Sequence, residues 1–325
     1  MAASISNAAL SPWRKQAQLV LAAACEAAAT AGSSTVPLSL FVGWTEGVAR
    51  ECGGRSLGWH LGSQHDLRLL GDVGGVILTC STLGAALRRL VDYFPLVQDA
   101  TELSIHQEAQ HCTVRYRILD PDIWPRHQDA IFTMAIVAQL IRRAAPIEWH
   151  ELEAFVENPD PAASQELARL SGISCCPGAE ANILRFPLCL LDRRLPPQSD
   201  VVPPDLRHLA SCVAHRRRQT RVPELVRALI YQRLGSDQIE QEQIARMLGM
   251  SGRTLRRRLA DEGASFQQIF DDCRMRQAVH EFRARGCVSI AQTALRLGYA
   301  EHSTFTRAFN RWSGMPPQAF IAGQI

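Results

Sequence analysis

The pattern of hydrophobic and polar positions changes about two thirds of the way along this chain. Up to about residue 200, segments with helical spacing are mixed with short segments that alternate apolar and polar residues. From about residue 207 to the end, only helical spacing remains. The pattern therefore predicts an α+β N-terminal domain followed by an all-α C-terminal domain, and not a pure strand barrel.

Residues 101–107 and 112–119 show the clearest alternation and predict a β-hairpin with one face in the core. Strands are also predicted for the apolar run 74–80 and for residues 149–157. Helical periodicity predicts helices at 13–31, at 81–94 with Ser81 as cap, at 129–144, and at 163–172 ending at Gly172. The hairpin positions expected to face the core are Leu103, Ile105, Cys112, Val114, Tyr116 and Ile118.

Two proline pairs within residues 192–205 are the strongest interruption of the pattern. They predict a domain boundary, with one domain at residues 1–205 and a second at 206–325. Charge is divided in a similar place. Residues 215–325 contain 18 Arg and no Lys against 10 acidic residues, whereas residues 1–214 contain 17 basic and 22 acidic residues. The basic excess predicts a polyanionic partner for the C-terminal part alone.

An internal repeat lies within this basic part. Residues 244–263 have a counterpart in residues 293–314. Each copy reads as a short helix, a turn with Gly, and a second helix, which is the helix-turn-helix pattern. The two motifs are predicted at about 241–263 and 290–314. The matched pairs are Ala245 with Ala294, Leu248 with Leu297, Gly249 with Gly298, Leu255 with Phe305, Leu259 with Phe309, and Gly263 with Gly314.

The second helix of each copy is predicted to bury one face and expose the other. Residues 255 and 259, or 305 and 309, form the buried face. A helix whose opposite face carries Arg, Ser and Thr fits the DNA major groove, where these side chains bond to bases and phosphates. The exposed residues are Arg253, Arg256 and Arg257 in the first copy, and His302, Ser303, Thr306 and Arg307 in the second.

Residues 265–282 have apolar spacing that fits one helix joining the two motifs. A rigid connection of this kind would place both recognition helices in successive major grooves on one face of the duplex. Arg258, next to the buried Leu259, is predicted to contact phosphate or to pack. The apolar residues with this spacing are Phe266, Ile269, Phe270, Cys273, Ala278 and Phe282.

These stretches resemble the AraC/XylS family of bacterial transcription regulators over about one hundred residues. The segment 294–320, with Gly298, Trp312 and Pro317, carries the most specific part of the resemblance. It implies a monomeric two-motif reader of double-stranded promoter DNA, and a transcription factor that in this family is commonly an activator. Thr293 departs from the pattern, because the family usually has an aliphatic residue there; this would loosen the second motif. The DNA-binding residues implied are Arg253, Thr254, Arg256, Arg257, His302, Ser303, Thr306 and Arg307.

Residues 26–200, and most clearly 56–94, are similar to the arabinose-binding-type N-terminal domain of a subgroup of these regulators. The resemblance implies that this part binds a small-molecule effector, forms a homodimer, or does both. RNA polymerase is a further candidate partner. The identity of an effector and its binding residues stay open. Eight residues would either line a ligand pocket or be ordinary core and surface residues: Trp44, Trp59, His60, His65, Trp124, His127, Trp149 and His150.

No catalytic signature emerges from the sequence, and we expect no enzyme activity, cofactor or metal. Residues 150–154 lack the second His of a zinc-protease helix, and the only lysine is Lys15. The ten cysteines form no zinc-type spacing; the adjacent Cys175 and Cys176 are either a thiol site or small apolar fillers. The apolar run at 19–24 is shorter than the core of a signal peptide, and the longest later run, 131–141, is too short to span a membrane. A cytoplasmic location is expected.

Three hypotheses follow. The first is a ligand-responsive or dimeric transcription regulator. The second is a DNA-modifying enzyme with the same DNA reader, although an alkyl-transfer version would need a tight zinc-binding Cys cluster that the sequence lacks. The third is a constitutive regulator or architectural protein without an effector.

Overall fold

The computed structural model describes residues 4–6, 35–196, 198, 200–235, 239–285 and 289–323. Contacts divide the chain into two compact units, Ala2–Arg217 and Arg218–Ile325. This division falls within a helix, Leu206–Gln219, whereas the prolines predict a boundary at residue 205. The helix predicted at residues 13–31 lies outside the described residues.

The first unit combines helices with a five-stranded sheet. The helices, in chain order, are α1 Leu38–Glu51, α2 Leu57–Ser63, α3 Asp72–Leu78, α4 Leu83–Val97, α5 His127–Ala144, α6 Pro161–Ser171 and α7 Leu206–Gln219. Short 3-10 turns lie at Leu67–Leu70, Glu148–Glu151 and Leu188–Asp192. The strands are β1 Ser4–Ser6, β2 Thr35–Pro37, β3 Thr101–Gln107, β4 His111–Ile118, β5 Glu153–Phe155, β6 Ser174–Cys176 and β7 Asn182–Pro187.

The sheet has the strand order β3-β4-β7-β5-β6, while β1 and β2 form a separate antiparallel pair. Strands β3 and β4 form the predicted hairpin, with Leu103 opposite Tyr116. Alternate residues of β4 are buried, as the sequence pattern predicts, and Ile105 of β3 packs against the same core. Among the described strands, β5 and β6 are the one parallel pair. The predicted α+β fold of this unit is confirmed.

Helix α5 forms the centre of the first unit, because almost all of its residues are buried. Helix α2 crosses it closely at two glycines one turn apart, Gly58 and Gly62. A Cβ atom on Gly58 would lie 2.0 Å from the carbonyl oxygen of Gln128, and one on Gly62 would lie 2.5 Å from that of Phe132. The absence of a side chain at both positions therefore allows the two helices to come together.

Three details of the first unit differ from the sequence predictions. Residues 74–80 are not a strand; most of them belong to α3, whose apolar residues are buried on all sides, and a short apolar run does not distinguish these two structures. The cap of α4 is Thr82 rather than Ser81, since its hydroxyl accepts from the amide of Ala85 at 3.3 Å. Residues 149–157 form a strand only at β5, because a 3-10 turn precedes it. The helices predicted at 129–144 and 163–172 are confirmed as α5 and α6.

All regular secondary structure in the described part of the second unit is helical, as the sequence predicts. Its helices are α8 Val222–Arg233, α9 Gln241–Met247, α10 Gly252–Asp261, α11 Phe266–Arg285, α12 Ile290–Arg296, α13 His302–Ser313 and α14 Pro317–Ala322.

Candidate nucleic-acid interface

Helices α9 and α10 form the first predicted helix-turn-helix motif. Gly249 lies in the turn between them with a φ of +72°, a left-handed conformation that favours glycine. Ala245 on α9 is fully buried, so its small side chain lets α10 pack closely. Gly298 has the equivalent conformation between α12 and α13, with a φ of +77°. The local geometry of the repeat is therefore the same in both copies.

Helix α10 begins at a side-chain cap. The Ser251 hydroxyl accepts from the amide of Thr254 at 3.2 Å, which satisfies one of the free amides at the helix start. The two hydroxyl groups of Ser251 and Thr254 are also 2.9 Å apart and form a hydrogen bond. The Thr254 side chain is half-buried and engaged within its own helix turn.

The two faces of α10 differ sharply in exposure and charge. Leu255 and Leu259 are fully buried, as predicted. Four arginines are exposed, and within the described part of the chain none of them forms an ion pair. Their positive charge is therefore not neutralised by neighbouring acids. They are Arg253, Arg256, Arg257 and Arg258.

Helix α13 exposes a more mixed set of groups. Phe305 and Phe309 are fully buried, while His302, Ser303 and Arg307 are exposed. Thr306 is half-buried, and its hydroxyl donates to the carbonyl oxygen of His302 at 2.9 Å.

Sequence reasoning did not single out Glu301, at the start of α13. It is exposed and accepts from the Ser303 hydroxyl at 3.1 Å. Acidic residues are favourable at the start of many helices, so the sequence carries no specific signal for its role. It places one negative charge at the same helix end as His302 and Ser303.

Helix α11 joins the two motifs along the chain and has buried residues in both halves of its length. Ile269, Phe270 and Cys273 are buried in its first half, and Ala278 and Phe282 in its second half. The second half belongs to one apolar cluster with residues of α12 and α13, where the rings of Phe282 and Phe309 meet edge to face with centroids 5.6 Å apart. The linker helix predicted at 265–282 is confirmed.

Arg274, at the middle of α11, links this helix to the turn of the second motif, and the sequence analysis did not single it out. Its guanidinium lies 3.8 Å from the ring centroid of Phe270 and 4.6 Å from that of Tyr299. It also donates to the carbonyl oxygen of Gly298 at 3.3 Å. This side chain therefore holds the turn of the second motif against the linker helix, through cation–π contacts and one hydrogen bond.

Thr293, the position that departs from the family pattern, is fully buried on α12. Its hydroxyl donates to a carboxylate oxygen of Glu281 at 3.3 Å, and Arg296 donates to the same oxygen at 2.7 Å. The polar group is thus hydrogen-bonded inside the second motif, which offsets the cost of burying it.

The eight aromatic and imidazole residues of the first unit do not come together in one place. Trp124 and His127 line a cavity described below, whereas Trp59 and His65 are buried in the core. The remaining four do not line this cavity and are half-buried or exposed: Trp44, His60, Trp149 and His150.

Across the described ranges, no three His, Cys, Asp or Glu side chains are grouped so that they could hold a metal ion. No helix in these ranges is both long enough and apolar enough to cross a membrane.

Comparison with known families agrees with this geometry. A helix-turn-helix domain model matches residues 244–323, and a model described as the N-terminal arabinose-binding domain of AraC transcription regulators matches residues 16–195. The fold and the two motifs thus define a DNA-binding transcription regulator. The chain belongs to the AraC family of regulators, in the subgroup with an arabinose-binding-type N-terminal domain.

Individual relatives cover most of the chain. The helix-turn-helix-type transcriptional regulator Rv1395 of Mycobacterium tuberculosis is 29% identical over 280 residues, which is 81% of this chain and 78% of the relative. The ornithine utilization regulator of Pseudomonas aeruginosa is 27% identical over 277 residues, or 83% and 79% of the two chains. Among solved structures, the transcriptional regulator CdpR from Pseudomonas aeruginosa aligns over 82% of this chain and 86% of its own, with 22% identity and a TM-score of 0.38.

Proposed function

We propose that this regulator reads promoter DNA by placing α10 and α13 in successive major grooves, with residues 206–325 as the DNA-binding domain. Residues 1–205 set the response, through an effector, through dimerisation, or through both. The protein acts in the bacterial cytoplasm, where promoter DNA lies, and carries out no catalytic step. The observation that carries this proposal is the exposed set of unpaired arginines on α10, opposite a fully buried apolar face.

The contacts on α10 follow from the chemistry of its side chains. An Arg guanidinium donates two parallel hydrogen bonds to the O6 and N7 atoms of guanine, which few other side chains can do. Arg253, Arg256 and Arg257 are free to make such bonds because no acid competes for them in the described structure. Arg258 lies beside the buried Leu259 and contacts phosphate in this proposal.

Helix α13 offers a different chemistry, and we propose that it reads a different half-site. His302 and Ser303 present hydrogen-bonding groups at its start, and Arg307 lies one turn further along. The carboxylate of Glu301 could accept a hydrogen bond from the N4 amino group of cytosine. Its negative charge would repel a nearby phosphate.

The test is a measurement of DNA affinity by fluorescence anisotropy with the full-length protein and an operator selected from genomic fragments. Replacing Arg257 by Ala should weaken operator binding by about 1 to 3 kcal/mol, because a bidentate base contact is lost. Binding to scrambled DNA should change much less. Arg169→Ala is the matched control, since Arg169 is an exposed arginine on α6 of the other unit.

Equal losses on operator and scrambled DNA would show that Arg257 contacts only phosphate. No loss on either DNA would place α10 outside the interface. In both cases the assignment of base reading to Arg257 would be abandoned.

A further inference from the structure

The first unit contains a cavity of about 450 Å³, within the size range of small-molecule sites. Four parts of the chain that are distant in sequence form its wall: the end of α1 with the turn before α2, the residues that lead into α5, the loop between β5 and α6, and the start of β7. Trp124, half-buried, supplies an aromatic wall.

Several polar side chains of the wall form hydrogen bonds or ion pairs with other groups of the protein. Arg126 and Glu157 form a buried bidentate ion pair, with nitrogen–oxygen distances of 2.8 and 2.5 Å. The amide of Gln128 accepts from the backbone of Gly58 and donates to the carbonyl of Arg55, both at 2.8 Å. These groups fix the shape of the cavity.

The side-chain amides of Asn158 and Asn182, which also line the wall, accept hydrogen bonds from the protein backbone through their oxygens. Asn158 accepts from the backbone of Asp160, and Asn182 accepts from the backbone of Glu157, both at 3.0 Å. Amide oxygens that would accept from the hydroxyl groups of a neutral sugar are therefore used to hold loops in place.

Arg55 and Asp160 of the wall form a further ion pair at 3.6 Å. Two opposite charges of the wall have no ion-pair partner among the described residues, and both are on α1, although one oxygen of Glu46 accepts from the amide of Gln128 at 2.7 Å. Glu46 is half-buried, and Arg50 follows it one helical turn later with its side chain exposed. Side chains four residues apart on a helix lie about 5 to 6 Å apart at Cβ. Neither residue forms an ion pair in the described part of the chain, although their spacing would permit one.

We propose that this cavity binds a small zwitterionic metabolite of the α-amino acid type. Its ammonium group is bound by Glu46 and its carboxylate by Arg50, and its side chain lies against Trp124. This inference rests on the proposed sensing role of the first unit.

The surroundings of the Glu46 carboxyl support this assignment. Burial raises the pKa of Glu46 above the usual value of a glutamate. Hydrogen bonds from the backbone amides of Gln128 and His127, and the charge of Arg50, lower the pKa again, but only in part. Asp129 raises the pKa further. A bound ammonium group would offset this unfavourable burial of a negative charge.

The experiment is isothermal titration calorimetry on the full-length protein. The probes are the twenty genetically encoded L-amino acids and L-ornithine, with putrescine, which lacks a carboxylate, and L-arabinose, which lacks both charges. We expect binding by at least one amino acid and by neither of the other two probes. Glu46→Gln and Arg50→Gln should each weaken that binding by about ten- to hundredfold, since each removes a charged hydrogen bond.

Matched controls are Glu108→Gln and Arg169→Gln, both at exposed positions of the first unit outside the cavity. They should leave the affinity unchanged. Absence of binding by every amino acid would overturn the proposal, as would binding of arabinose or putrescine that the two cavity variants do not affect. Operator binding, measured separately without ligand, reports on the DNA-reading function and so distinguishes its failure from failure of this proposal.

Discussion

His65 is an ionisable residue enclosed by the core of the first unit. Its ring meets that of Phe132 edge to face at 5.5 Å, and neither ring nitrogen has a hydrogen-bond partner in the described structure. Burial lowers the pKa of His65 to about 4, and the nearby Asp66 opposes this shift only partly. The folded protein therefore holds this imidazole in its neutral form at neutral pH.

This burial predicts a loss of stability in acid. The unfolded chain binds a proton at His65 near pH 6.5, whereas the folded chain does so only near pH 4. The free energy of unfolding should thus be highest above pH 6.5 and fall as the pH drops towards 4, by up to about 3 kcal/mol for this one group. Denaturation by urea at pH 7.5 and 4.5 measures the difference.

His65→Leu should reduce this pH dependence, because the variant has no proton to gain at that position. Part of the dependence should remain, since burial also lowers the pKa of His127 to about 4. An identical loss of stability in wild type and variant would contradict the assignment to His65.

At the scale of elements, the crossing of α2 over α5 depends on Gly58. Replacing it by Ala would place a methyl group against the carbonyl oxygen of Gln128, which belongs to the helix backbone and has little freedom to move. We expect the free energy of unfolding to fall by about 1 to 3 kcal/mol, measured by chemical denaturation.

Gly43→Ala in α1 is the matched control, because a Cβ atom there meets nothing within 4 Å. This substitution should leave stability unchanged or raise it by up to about 1 kcal/mol, since Ala favours a helix interior. Equal effects of the two substitutions would mean that the close crossing does not limit the packing of α2.

Elements with strong local periodicity could be predicted from the sequence. The hairpin β3–β4 alternates over its whole length, and Leu255 and Leu259 repeat as Phe305 and Phe309, so the local pattern determined both structures. Helix α3 could not be distinguished from a strand, because its short apolar run is buried on all sides and carries no period.

The cavity could not be predicted at all, since its wall comes from four separate segments. The role of Gln128, for example, depends on contacts with the backbone of Arg55 and Gly58 about 70 residues earlier. Arg274 escaped prediction for a similar reason, because Tyr299 and Gly298 reach it only after the second motif has folded against α11.

At the scale of the whole molecule, the net charge of +3 conceals an acidic first part and a basic second part. Binding to DNA should therefore weaken steeply with salt, because each neutralised phosphate releases counterions. Arg258→Ala should reduce the slope of log K against log salt concentration by about one and weaken operator and scrambled DNA equally, if Arg258 contacts phosphate.

Anisotropy titrations between about 50 and 200 mM salt measure this slope. The exposed Arg169 again supplies the control, because Arg169→Ala changes the net charge by the same amount without altering the proposed interface. A reduced slope in the control would mean that net charge alone governs the salt dependence.

The shared helix α11 makes the spacing between operator half-sites a matter of helix length. Because one continuous helix of 20 residues joins the two motifs, adding a single residue in its middle would turn the second reader by about 100° and move it by about 1.5 Å. Promoters could then drift in base sequence within each half-site, but an inserted base pair would need a compensating change in the protein. The arrangement ties the evolution of operator spacing to insertions and deletions in one helix.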